Sequence, residues 1–230
     1  MANTATLTIA TNILTAPGEA FAAIKEKPAP WLPLLLVLLG SCLATYLYMN
    51  AVDYPWLLDQ GLANSDLTEE ERRQMVDTLT QLSPGVRAVG SAAIACIFYL
   101  AAYALCALYF TGVSFATNNG VKFGQWFGLL WWCSLPVVLS RLATVVNVLT
   151  GDMRFEIQPN PLAFGNLLGI DATNASGTVE AVLLQIDPTS LWALVLSIFG
   201  YQAFSQKSIV HAAAVVLAPI VVIVLISVVL

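Results

Sequence analysis

Charge is scarce in this sequence, and so are the side chains that do chemistry. Asp, Glu, Lys and Arg together make up 10% of 230 residues, and His211 is the single histidine. A zinc site needs clustered imidazole or thiolate ligands, so the residue supply excludes metalloprotease chemistry and no metal is expected. No glycine-rich cradle precedes a Lys-Ser or Lys-Thr pair, which excludes a P-loop nucleotide hydrolase. Around Ser114, "TGVSFA" lacks the second glycine of a nucleophile elbow and any neighbouring base. A net charge of −5 with no Lys/Arg cluster argues against nucleic acid or an anionic membrane surface as the main partner. The polar connections hold no cysteine. Cys42, Cys96, Cys106 and Cys133 all lie in apolar runs, read as small buried hydrophobes, and are not expected to form disulfides. The chain is read as non-enzymatic and without a cofactor, and His211 as an interfacial side chain.

What is abundant is hydrophobic length. Apolar residues make up 58% of the chain, far above a soluble domain. Five runs approach or exceed the roughly 20 residues that a 30 Å hydrocarbon core requires. They are 31–52, 88–113, 126–149, 190–204 with its flanks, and 210–230. The fourth is the shortest and holds Tyr201 and Gln202, but Asp187-Pro188 ahead of it is a helix-start signal. No Lys or Arg and no cleavable apolar core occur in the first 24 residues, so no signal peptide is expected. The predicted fold class is all-α: an integral membrane bundle of five transmembrane helices at 31–230, preceded by a cytoplasmic segment at 1–30.

Lysines and arginines separate by connection. Lys25, Lys27, Lys122 and Lys207 fall on one side of a five-span arrangement and Arg72, Arg73, Arg87 and Arg154 on the other. The lysine-bearing connections are short and hold only Glu19 and Glu26 as acids. This side is assigned to the cytoplasm, with the N-terminus on it and the C-terminus outside. Between spans one and two, "TEEERRQMVDTLTQL" opens with a Thr68/Glu71 capping box, puts Met75, Leu79 and Leu82 on one face, and stops at Pro84-Gly85. It predicts a short amphipathic helix over 68–82, outside the membrane, lying on the spans as a lid or brace in preference to serving as a docking site; "EEERR" within it reads as a solvated charge run. The second long connection, 151–185, reads as loop with one helical turn near Leu167 and Leu168, and contains an "NAS" sequon at Asn174. Ahead of the first span, "PGEAFAAIKEKPAPW" suits a short interfacial helix, with Phe21 and Ile24 three apart.

The third run carries the intramembrane polar groups. Ser134, Ser140, Arg141, Thr144 and Asn147 fall within roughly 140° of arc, opposite Leu135, Leu139, Leu142, Val146 and Leu149. Pro136 predicts a kink and one freed backbone carbonyl. An arginine this deep costs about 2.5 to 3.5 kcal/mol and calls for a partner. Asp187 at the start of the fourth run is the first candidate, Asp53 the runner-up, and backbone carbonyls or water the alternative. The candidate polar cluster is therefore Arg141, Asp187, Ser140, Thr144, Asn147 and Pro136. It serves either as helix-to-helix glue, with Gly40-x-x-x-Ala44 and Ser91-x-x-x-Ala95 allowing close approach elsewhere, or as the lining of a path for a small solute, ion or lipid. Glue is preferred, because a coupled transporter usually needs acidic relays within its spans.

Three stretches carry a family resemblance: "TAPGEAFAAIKEKPAPWLPLLL", "YFTGVSFATNNGVKFGQWFGLLWWCSLP" and "LLQIDPTSLWALVLSIFGYQAFSQKSIVHAAAVVLAP". In order, they resemble the Trp/Pro entry into the first span, the inner glycine turn with a Ser-Pro third span, and the Asp-Pro/Trp fourth span of the Yip (Ypt-interacting protein) domain family in its bacterial branch. The resemblance implies an N-in, C-out integral membrane protein without known catalysis. Eukaryotic members associate with Rab-type GTPases in vesicle traffic. This sequence has no "DLYGP"-like motif, and no GTPase partner can be demonstrated from it. The resulting expectation is a bacterial inner-membrane protein whose partners are the lipid bilayer and either a second protein or further copies of itself, in a membrane-organising or trafficking-like role.

Overall fold

The computed structural model describes residues 2–63, 65, 67–173 and 177–229. The chain opens with α1 (Ala2–Thr15) and α2 (Pro17–Glu26), followed by α3 (Trp31–Ala51). The first polar connection carries α4 (Tyr54–Leu62) and α5 (Glu69–Thr80) ahead of the long α6 (Pro84–Thr117). α7 (Phe123–Cys133) and α8 (Val137–Thr150) follow as one interrupted helix. The second connection holds α9 (Phe164–Leu167) and α10 (Thr178–Gln185), and α11 (Pro188–Ser205) and α12 (Ile209–Val229) complete the order. α3 and α6 are each long and apolar enough to cross a membrane, and the count rises to four if the interrupted pairs α7–α8 and α10–α11 each make one span. The sequence expectation of five spans is finer than this. The sequon at Asn174 lies outside the described residues.

Two compact units divide the chain. The first comprises Met1–Leu38, Phe98–Leu139 and Pro188–Leu230, the second Leu39–Ile97 and Ser140–Asp187. Aromatic residues dominate the interior of the first unit. Trp126 stacks on Tyr201 with ring centroids 4.8 Å apart, and Tyr103 stacks on Trp131 at 4.3 Å. The Trp126 indole donates to Ser114 Oγ at 2.8 Å, so the serine considered as a nucleophile satisfies a buried tryptophan instead. Backbones approach closely where a side chain is missing. A Cβ on Gly128 would come within 2.8 Å of Pro28 Cβ, so α7 meets the 27–30 connection at a contact only glycine permits.

α2 forms where the sequence places a short helix. Pro17 in its first turn and Glu19 beside it start the helix as expected. Its apolar face is covered by protein. Phe21 and Ile24 are 2% and 0% exposed, packed with Leu129, Leu196 and Phe204. Periodicity identifies an apolar face but not whether lipid or protein covers it, and here α7 and α11 cover it.

In the second unit the expected absence of disulfides is corrected: Cys42 on α3 and Cys96 on α6 are bonded, with Cα atoms 6.7 Å apart. Their apolar neighbourhoods hid the pairing, since a half-cystine and a buried thiol have the same surroundings in sequence. Cys106 and Cys133 remain free thiols. The Thr68/Glu71 capping box forms as read, with Glu71 Oε2 accepting from Thr68 N at 2.9 Å. The bracing role does not hold. α5 buries no residue, Met75 and Leu82 are exposed, and its packing partner is α4, a helix the sequence reading left out. Asp53 starts α4 by accepting from Trp56 N at 3.1 Å, with Pro55 in the first turn.

Candidate functional site

α8 turns its two faces as the periodicity predicts. Ser140 is 0% and Thr144 3% exposed, whereas Leu139, Leu142, Val146 and Leu149 are all more than half exposed. A polar stripe inside and leucine outside is the arrangement of a helix whose outer medium is hydrocarbon rather than water. α6 follows the same rule, presenting Ile94, Ile97, Phe98 and Leu105 outward. The break ahead of α8 falls at Ser134–Pro136, as expected. Pro136 has no amide to give Trp132 O, and that carbonyl accepts from Leu135 N at 3.2 Å instead. The Ser134 hydroxyl caps Trp131 O at 2.7 Å. Pro136 belongs to the first unit, whereas Ser140, Arg141, Thr144, Asn147 and Asp187 all belong to the second.

Within the second unit, α3 meets α8 at Gly40. A Cβ there would lie 3.3 Å from Arg141 Cβ, so the arginine stem runs against bare backbone. Thr144 Oγ1 donates back to Ser140 O at 2.9 Å, and Asn147 Nδ2 donates to Pro159 O at 3.0 Å. Asn147 thereby ties α8 to residues 153–160, a segment that Tyr48 of α3 also holds through its hydroxyl to Glu156 O at 2.7 Å.

That segment leads to Asp187. Asn160 Nδ2 donates to Asp187 Oδ2 at 2.9 Å, with Asn160 and Asp187 only 7% and 5% exposed. Asn166 Nδ2 donates to Gln158 O and Asn160 O, and Gln158 Nε2 to Leu184 O at 2.6 Å. What reads in sequence as an Asn- and Pro-rich loop is a hydrogen-bonded strap that ends on the Asp187 carboxylate. The sequence reading missed Asn160, Gln158 and Asn166. Their signal was the spacing of amide side chains in a stretch with few other means of satisfying its backbone. It also missed α10, which Glu180 starts by accepting from Gly177 N at 3.3 Å. Asp53, the alternative partner for Arg141, is used as the α4 cap.

The groups in this unit are structural in kind, amides, hydroxyls, one carboxylate and one guanidinium, with Ser140, Thr144, Asn160 and Asp187 buried and Arg141 and Asn147 half-buried. Among the described residues no group of three or more His, Cys, Asp or Glu is placed to hold a metal ion.

An all-helical chain with outward leucines and an inward polar stripe defines an integral membrane protein. The family model for the Yip1 domain matches residues 11–230, and the chain belongs to that family. It is similar to "Membrane protein YknW" of Bacillus subtilis (strain 168), with 27% identity over 193 residues, covering 82% of this chain and 74% of the relative. That likeness agrees with the bacterial branch. No solved structure matches.

Proposed function

We propose that this protein is non-enzymatic and acts by association, organising membrane or cytosolic partners from within a bacterial inner membrane. In this reading 31–230 forms a five-span domain, 1–30 is a cytoplasmic N-terminal segment, and the C-terminus lies outside. α5 is then extracytoplasmic, and the Lys122 and Lys207 turns face the cytoplasm.

One observation carries the reading: the polar face of α8 is closely packed. Ser140 and Thr144 are buried, and Gly40 leaves no gap beside Arg141. A solute path needs polar groups facing open volume, whereas these face backbone and each other. In the same reading Arg141 and Asp187 form the charge pair of this core. A carboxylate 5% exposed is held as an anion most strongly by a cation, and Arg141 is the guanidinium on the inward stripe of α8.

Cross-linking in native membranes followed by mass spectrometry tests the proposal. A reproducible cross-link to a second protein or to another copy of the chain is the expected result. Solute flux that is lost in Ser140→Leu and Asn147→Leu, with no such cross-link, would overturn it in favour of transport.

A further inference from the structure

In the first unit, a cavity of about 490 Å³ opens between the start of α2 and the end of α11. Its walls are of two kinds. Phe21, Phe199 and Ala203 supply carbon, while Gln202, Gln206 and Lys207 supply amides and one ammonium. No carboxylate lines it, and Glu19, the acid nearest in sequence, accepts from Asn12 Nδ2 at 3.1 Å. Lys207 is exposed and forms no ion pair among the described residues.

The walls grade from inside to outside. Phe21 is 2% exposed and Phe199 48%, so the apolar side continues from the protein interior onto the outer surface of α11. The polar side lies at the turn after α11, which ends at Gln206 with φ 57°. A ligand that fits must therefore be anionic at one end and hydrocarbon at the other. The volume lies in the range of small-molecule sites and matches a headgroup better than a whole lipid, leaving acyl chains to run along the apolar surface beyond Phe199.

We propose that this cavity is a binding site for an anionic phospholipid, its phosphate on the Lys207 ammonium and its chains against Phe199. The positive end of a zwitterionic headgroup would meet Lys207 with like charge, so the site selects for net negative lipid. The placement of the 206–208 turn at the cytoplasmic bilayer edge rests on the orientation proposed above. The chemistry of the cavity does not.

Gly18 supplies the test. It lines the cavity, and a Cβ added there meets nothing within 4 Å, so a large side chain can fill the space without displacing the fold. Purified full-length protein in non-ionic detergent is offered equal phosphatidylglycerol and phosphatidylcholine, and retained lipid is read by native mass spectrometry. Wild type should prefer phosphatidylglycerol by roughly fivefold, the size one lysine contributes at an anionic surface. Lys207→Gln should abolish the preference, and Gly18→Trp should lose the lipid while keeping the lipid-free melting temperature. Equal retention of both lipids, or a preference unchanged in both variants, would overturn the proposal. Displacement of the lipid by millimolar inorganic phosphate would overturn it too, by making the ligand a soluble anion. Labelling of Ser208→Cys by an impermeant thiol reagent from outside would move the site to the other leaflet, refuting the orientation while leaving the lipid preference intact.

Discussion

Tyr109 Oη donates to Val215 O at 3.1 Å, and Val215 is the residue whose carbonyl Pro219 leaves without a helical amide. The proline four residues on has no N–H, so α12 would expose an unpaired acceptor in a medium with no water to fill it. A tyrosine from α6 fills the place. The two residues act as one device, which makes their substitutions non-additive. Tyr109→Phe should lower stability by about 1 to 3 kcal/mol, the cost of orphaning a buried acceptor. In a Pro219→Ala background the restored amide should shrink that cost to a few tenths. A double-mutant cycle on thermal unfolding in detergent measures the coupling, and simple additivity would contradict it.

The proposed pairing of Arg141 with Asp187 is testable in the same way. Arg141→Ala should destabilise by roughly 3 to 5 kcal/mol, because a buried carboxylate is left behind. Adding Asp187→Asn should recover part of the loss, since the carboxamide carries no charge and can still accept from Asn160. Independent losses would mean that Arg141 is held by other groups.

Glu71 sets a pH dependence outside the membrane. The Thr68 hydroxyl and then its backbone amide hold the Glu71 carboxyl below its ordinary value of 4.5. A depressed acid stabilises the folded cap fully above that value and loses the contribution as pH falls through its lowered one. Amide protection in the first turn of α5, taken relative to the intrinsic exchange rate at each pH, should thus be high at neutral pH and fall on acidification below the ordinary carboxylate range. Glu71→Gln should flatten the dependence. An unchanged acid response in that variant would locate the titration elsewhere.

Orientation is read most directly at the two polar extremes of the chain. Asn119 is a poor reporter, because its side chain accepts from Val121 N and holds the turn. Lys122 and Glu70 are exposed. In intact cells an impermeant thiol reagent should label Glu70→Cys and spare Lys122→Cys, with the reverse pattern inverting the topology.

The parts of this architecture that the sequence made legible are those in which a side chain's chemistry alone dictates its surroundings. The polar stripe of α8, the interruption at Pro136 and the capping box at Thr68 each follow from one residue's needs. The rest depended on what a neighbour supplies. Phe21 and Ile24 form an apolar face that suits lipid and protein equally, and it took α7 and α11 to decide. Cys42 and Cys96 are 54 residues apart and look like any two small hydrophobes until α3 and α6 bring them together. Asn160 reads as a loop residue until Asp187 is found beside it.

The bond between Cys42 and Cys96 closes a covalent ring that contains α4, α5 and every residue of the first polar connection. A chain cut by a protease anywhere in that connection would become two peptides by sequence and remain one molecule by mass, parting only when a reductant opened the bond. On a gel the same cleavage would be invisible in one lane and complete in the next, so the integrity of this connection can be judged only after reduction.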